Sequence, residues 1–123
     1  LKRDFTYIDD IVVAITKIIL KPPSDEIDWK TGLPFIGKNA PFRIYNIGSH
    51  SPVGLLEFIK ILEKCLGKKA KKIFLPMQLG DMIETCADVE DLIADIGFSP
   101  VTPLQEGLQR FVDWYKGDYS RFT

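Results

Sequence analysis

The sequence predicts an α/β chain, helix-rich with a few short strands. Three observations carry that expectation. Apolar residues recur at one-face helical spacing in four separate stretches. Short β-branched and aromatic runs are interspersed with them, at residues 4–8, 42–47 and 72–75. Gly and Pro punctuate the junctions.

Residues 4–8 (Asp-Phe-Thr-Tyr-Ile) read as the first strand. Asp9 and Asp10 then offer an N-cap and an acidic first turn. Ile11, Val12, Ile15, Ile18 and Ile19 line one helical face, and Pro22 with Pro23 ends that helix. Its β-branched residues are weak helix formers, so burial has to stabilise it. Residues 22–41 read as a long loop, with prolines at 22, 23, 34 and 41 and glycines at 32 and 37. A loop of that length inside a domain serves a function or a cover. Ile27, Trp29, Leu33 and Phe35 set it apart from a disordered linker.

Residues 42–47 read as a second strand, closed by Gly48. Ser51 and Pro52 pair an N-cap with a proline at the first helical position. Leu55, Phe58, Ile59, Leu62 and Leu66 form the helical face, and Gly67 supplies the stop. Residues 72–75 read as a brief strand ending at Pro76, and residues 77–87 as irregular. Asp88 caps a short helix carrying Leu92, Ile93 and Ile96, stopped by Gly97. Thr102-Pro103-Leu104-Gln105 is a capping-box start. Leu104, Leu108, Phe111, Val112 and Tyr115 give the last helix an apolar stripe. Three short strands are few for an independent sheet. One or more of them is expected to pair with strands lying elsewhere.

The chain has 123 residues, enough for one domain with a core. Sixteen Lys and Arg against seventeen Asp and Glu leave a formal charge of −1. That balance excludes attachment to nucleic acid by bulk electrostatics. No apolar run reaches the roughly 18–20 residues of a membrane span. Two cysteines and one histidine make neither a disulfide framework nor a His/Cys metal cluster. Cys65 and Cys86 are read as reduced and inert, with no adjacent base, and a cytoplasmic protein is expected. The chain opens at Leu1 without Met, and a fragment of something larger is the expectation.

Several catalytic signatures are missing from the sequence. There is no Gly-x-Gly-x-x-Gly or Gly-x-x-Gly-x-x-Gly, and no Gly-Lys-Ser/Thr phosphate loop. None of Tyr7, Tyr45, Tyr115 and Tyr119 has Lys four residues on. No catalytic residue is therefore expected in this chain. The informative pieces are binding pieces. Arg3, just before a strand, can present its guanidinium fork to a phosphate. Phe5, two residues on, shares its side of a strand and can pack beside a base or ribose. The plainer reading is an exposed arginine and a core phenylalanine. In residues 76–81, Gly80 permits a tight bend, Asp81 can accept from vicinal sugar hydroxyls and Gln78 offers a neutral amide. The plainer reading there makes Asp81 a turn residue. Lys64, Lys68, Lys69, Lys71 and Lys72 read as a solvated face at a helix end. Asp9 and Asp10 read as helix-start residues, and His50 as a turn residue. Phe111, Trp114 and Tyr115 read as core and C-terminal docking.

The order of motifs carries a resemblance. It runs through Arg-Asp-Phe-Thr-Tyr-Ile-Asp-Asp-Ile (3–11), Ile-Tyr-Asn-Ile-Gly (44–48) and Pro-Met-Gln-x-Gly-Asp (76–81). It continues through Ala-Asp, Ile-Gly-Phe-x-Pro and Thr-Pro-Leu-x-Glu-Gly-Leu within 87–108. Together with the Lys-Pro-Pro loop and its Asp28-Trp29, the series resembles the C-terminal part of extended short-chain dehydrogenase/reductases. It looks most like the NAD-dependent nucleotide-sugar 4-epimerases that act on UDP-glucuronate.

The resemblance implies that residues 1–123 are a C-terminal UDP-sugar-binding portion. It implies an N-terminal Rossmann domain, absent from this chain, that binds NAD and carries the Ser/Thr and Tyr-x-x-x-Lys residues. NAD is thus expected in the parent enzyme and no cofactor on this portion. The implied partners are a UDP-sugar and the chain's own Rossmann domain, with a homodimer formed through helices of that domain. The implied setting is capsule or lipopolysaccharide precursor supply. The implied reaction is oxidation at C4, rotation of the 4-keto sugar and re-reduction, with this portion holding the UDP handle. Residue by residue, Arg3 matches a diphosphate contact, Phe5 an aromatic beside the nucleotide and Asp81 a ribose contact. Gln78 stands where the UDP-galactose branch has a phosphate-binding arginine, which favours the uronate-type enzymes. Leu79 and Ile83 replace prolines usual in that subgroup, which loosens the loop before Asp81. Two alternatives stand beside this reading: a related nucleotide-sugar dehydratase or decarboxylase, against which the Gln-x-Gly-Asp pattern and Asp28-Trp29 argue, and a free-standing non-catalytic ligand-binding module.

Overall fold

The four stretches with helical spacing become four helices in the computed structural model, which describes residues 1–23 and 42–119. The order is β1 (Lys2–Arg3), α1 (Ile8–Ile19), β2 (Val53–Gly54), α2 (Leu55–Leu66), α3 (Glu90–Ile96) and α4 (Leu104–Lys116). β1 and β2 pair antiparallel, with Lys2 opposite Gly54 and Arg3 opposite Val53. Lys2 also bridges in parallel to Glu84. The architecture is therefore the helix-rich α/β chain the sequence predicts. The loop expected at 22–41, with Asp28 and Trp29, lies from residue 24 onward outside the described residues.

Helix ends follow local chemistry at their C-termini. Gly67 and Gly97 adopt positive φ, and the Gly67 N–H returns to the Glu63 and Lys64 carbonyls. The N-termini differ from expectation. Tyr7, not Asp9, precedes α1, and both aspartates lie inside its first turn. Asp10 is buried there and accepts the Thr102 N–H at 2.9 Å. α2 starts at Leu55 rather than after Ser51, because residues 53 and 54 are taken by β2 and the Leu55 N–H donates to the Leu1 carbonyl at 3.0 Å. Before α4 no side-chain cap bond forms, so the capping box is not made. At α3 the N-cap position is Val89, without a side-chain cap bond, and Asp88 one residue earlier accepts the Glu90 N–H on its Oδ1 at 3.1 Å.

The strand expectations need correction. The first strand lies at Lys2–Arg3, ahead of residues 4–8, which run into α1. Residues 42–47 and 72–75 form no strand among the described residues. Ile73, Phe74 and Leu75 are each at least 75% exposed. β-propensity measures fit to a half-buried pleated surface, and no such surface covers them here.

The buried apolar residues are Ala14, Val89, Leu92, Leu108 and Val112. α2 packs along α4 and α1 against α3. The apolar face of α1 is only partly used: Ala14 is buried, but Val12, Ile15 and Ile19 are exposed. The α4 stripe splits in the same way. Leu108 and Val112 are inside, while Phe111, Trp114 and Tyr115 are nearly half exposed and stack on one another and on Tyr119. They are not core residues among the described parts.

Two carboxylates fasten loops to this frame. Glu63 is buried and takes Lys72, the Ala70 N–H at 2.9 Å and Lys69 at 3.5 Å. The Lys72 bond comes first in holding its carboxyl down to about 2. The lysine-rich stretch is therefore partly folded back onto α2 rather than a wholly solvated face. Asp95 gathers Lys21 at 2.7 Å, Arg43 at 2.8 Å and the Tyr45 hydroxyl. Burial works against its charge, but these donors outweigh it and hold Asp95 at about 2. No helix among the described residues is long and apolar enough to cross a membrane.

Candidate substrate-binding site

Arg3 is presented by the short β1 pairing, and residues 81–87 run along the other side of β1. The Lys2 N–H donates to the Ile83 carbonyl at 2.9 Å, and the Thr85 N–H donates to the Lys2 carbonyl at 3.3 Å. The Asp4 N–H adds a bond to Thr85 Oγ1 at 3.3 Å. These bonds bring Asp81 to Arg3 from 78 residues away. Arg3 Nη2 donates to Asp81 Oδ1 at 2.6 Å, and Nη1 donates to the Lys2 carbonyl at 2.8 Å. Just before Asp81 the chain turns sharply. The Asp81 N–H closes onto the Gln78 carbonyl at 3.2 Å, and Gly80 sits at φ +88°.

The four candidate residues thus divide. Arg3 and Asp81 are in contact, and Gln78 belongs to the turn that carries Asp81. Gln78 and Leu79 are exposed. Phe5 lies elsewhere in the packing, stacked on Phe58 with ring centroids 4.2 Å apart. Strand alternation does not place Phe5 beside Arg3, because β1 ends at Arg3. Phe5 instead borders a cavity of about 330 Å³ with Phe58, Leu62, Leu104, Leu108 and Phe111.

Asp4 is the residue that sequence reading passes over. Its carboxylate accepts from Ser49 Oγ at 2.5 Å, the Ala87 N–H at 2.9 Å, the His50 N–H at 3.1 Å and the Ser51 N–H at 3.3 Å. Burial raises its carboxyl, yet the Ser49 hydroxyl and the three N–H groups prevail and hold it below the usual range. One side chain therefore ties the Arg3 strand to the 49–51 turn and to the end of the Asp81 segment. Gly48 fits beside it because any Cβ there would collide with Ala87 and with Asp4.

His50 adopts φ 53°, and its Nδ1 lies 2.7 Å from the Ala87 carbonyl, so that nitrogen carries the proton. Cys86 Sγ is 3.6 Å from the same nitrogen. The expectation that Cys86 has no adjacent base is therefore wrong. The contact nevertheless gives the thiol no proton acceptor, since Nδ1 already donates to the carbonyl. No group of His, Cys, Asp and Glu side chains among the described residues is arranged to hold a metal ion. What the site offers is a guanidinium and a carboxylate, side by side and partly exposed. That pairing suits an anion linked to hydroxyls.

No protein-family model matches the chain. It is 48% identical over 120 residues to Protein CapI of Staphylococcus aureus, covering 97% of this chain and 36% of that one. It is 41% identical over 123 residues to "Probable UDP-glucuronate 4-epimerase" of Rhizobium meliloti, with 98% and 36% coverage. Among solved structures it matches UDP-glucuronic acid 4-epimerase from Bacillus cereus in complex with UDP-glucuronic acid and NAD. The TM-score is 0.68 at 30% identity, over 94% of this chain and 32% of that one. The chain spans about a third of the length of the relatives it matches.

Proposed function

The chain matches the C-terminal part of extended short-chain dehydrogenase/reductase epimerases, most like the UDP-glucuronate 4-epimerases; on that premise we propose that it is the UDP-sugar-binding portion of an NAD-dependent nucleotide-sugar 4-epimerase of the UDP-glucuronate/UDP-galacturonate type. The observation that supports this most directly is the Arg3–Asp81 pair at 2.6 Å, assembled from residues 78 apart in the sequence. Arg3 takes the diphosphate, Asp81 faces the uridine ribose, and Gln78 adds a neutral amide at the turn. Phe5 stays apart from this pair, stacked on Phe58 at the apolar cavity.

In this reading the residues of the chain bind and orient. They hold the nucleotide end of the substrate while the sugar end reacts and turns. Binding energy far from C4 is thereby used to position the reacting atoms. NAD, held by the remainder of the parent, supplies hydride acceptance and return at C4. The chain contains no Tyr-x-x-x-Lys, and by itself it is catalytically silent. Its natural partner is an N-terminal Rossmann domain. The exposed apolar residues of α1 and of 73–75 support such a contact, since large apolar patches mark interaction surfaces.

An ¹⁵N-labelled sample titrated with UDP tests the reading. Shifts confined to residues 2–5 and 78–85, weakened several-fold by Arg3→Gln, are the expected result. Saturation with no change at Arg3 or Asp81 rejects it.

A further inference from the structure

We propose that Asp81 is a positioning residue for Arg3, bracing the guanidinium so that it meets a diphosphate already oriented. The inference rests on the reading that Arg3 binds the diphosphate. An arginine side chain has many rotamers, and ordering it on binding costs affinity. Here two bonds order it beforehand, from Nη1 to the Lys2 carbonyl at 2.8 Å and from Nη2 to Asp81 Oδ1 at 2.6 Å.

Asp81 is suited to this because its own backbone is docked. Its N–H is closed onto Gln78, and Lys2 binds Ile83 and Thr85 a few residues on. The brace and the residue it braces are therefore carried on two segments joined by backbone hydrogen bonds. Among the described residues, Asp81 Oδ2 and the remaining N–H groups of Arg3 make no further bond. The guanidinium has donors left for a phosphate, and the second oxygen can still take a hydroxyl. A carboxylate this near also reduces the charge that Arg3 presents. Both side chains are about a third exposed, so water and salt screen that opposing effect. Orientation outweighs it.

Three probes separate a brace from a ribose contact: inorganic pyrophosphate, uridine and UDP. Each is titrated against the wild-type chain, Asp81→Ala, Asp81→Asn, Arg3→Gln and the Arg3→Gln/Asp81→Ala double variant. The brace requires Asp81→Ala to weaken pyrophosphate, which has no ribose, by roughly two- to tenfold, the range for ordering one long side chain; any loss of uridine affinity reports the separate ribose contact of the second oxygen. Asp81→Asn, which keeps an acceptor oxygen, restores most of the loss. The double variant binds pyrophosphate no more weakly than Arg3→Gln alone, because the two residues act as one unit. Unchanged pyrophosphate binding by Asp81→Ala, with uridine weakened, assigns Asp81 to the ribose alone. That result overturns the brace and leaves the UDP site standing. Tighter pyrophosphate binding by Asp81→Ala makes the carboxylate a competitor and also overturns the brace. A wild-type chain that binds neither UDP nor pyrophosphate removes the site reading and the brace with it. Unchanged amide signals at Leu92 and Val112 show that each variant is folded.

Discussion

Asp4 bears the heaviest polar load of any single side chain at the site, with four donors from two distant segments. Removing it leaves those donors without their charged acceptor, and hydrogen bonds to charged groups are each worth about 1.5–3 kcal/mol. Asp4→Ala is therefore expected to lower unfolding free energy by about 2 kcal/mol or more in urea, with Asp4→Asn intermediate. Gly48→Ala belongs to the same cluster. Its new methyl would meet Asp4 Oδ2 at 2.8 Å and press on Ala87, so a lowered melting temperature is expected. At this scale the sequence was legible for identities but not for partnerships. Arg3 and Asp81 are recognisable as binding types, yet their contact spans 78 residues and no local spacing announces it. Asp4 has the same problem with Ser49 and Ala87. The Cys86–His50 approach is hidden for the same reason.

At the scale of elements, periodicity succeeded wherever the stabilising contacts are local. The four helices and the glycine stops at 67 and 97 follow from neighbours within a turn or two. Strands failed because a strand is defined by its neighbour. Residues 42–47 and 72–75 have the composition of strands, but the described residues give them no sheet to join. The helix starts shifted where tertiary bonds claimed the cap, as when Asp10 took the Thr102 N–H. Leu92 of α3 is fully buried, so Leu92→Ala is expected to cost about 2–5 kcal/mol in chemical denaturation. The loop-fastening carboxylates set a pH dependence. Glu63 and Asp95 fall to about 2 from ordinary values of 4.5 and 3.8. A depressed carboxyl contributes stability that is complete above its unfolded value and is lost as pH falls through its folded value. Stability should therefore hold above about pH 5 and decline between about pH 4.5 and 2. Glu63→Gln and Asp95→Asn should each flatten that decline.

At the scale of the whole molecule, the described residues leave more large apolar side chains exposed than they bury. Val12, Ile15 and Ile19 on α1, and Ile73, Phe74 and Leu75, are exposed together with the aromatic cluster of α4. On the proposed function, a Rossmann partner would cover such faces. The purified chain is accordingly expected to bind a hydrophobic dye and to self-associate in light scattering, and Ile15→Lys with Ile19→Lys should reduce both. A chain that binds the nucleotide end of a UDP-sugar and performs no chemistry alone shows both properties in a single sample. One nuclear magnetic resonance sample of labelled chain with UDP-glucuronate and NAD tests both most directly, because it reports protein amides and sugar signals together. Shifts at Arg3 and Asp81 with the sugar unchanged over time are the expected result. Appearance of UDP-galacturonate, or a spectrum in which neither residue responds, would contradict it.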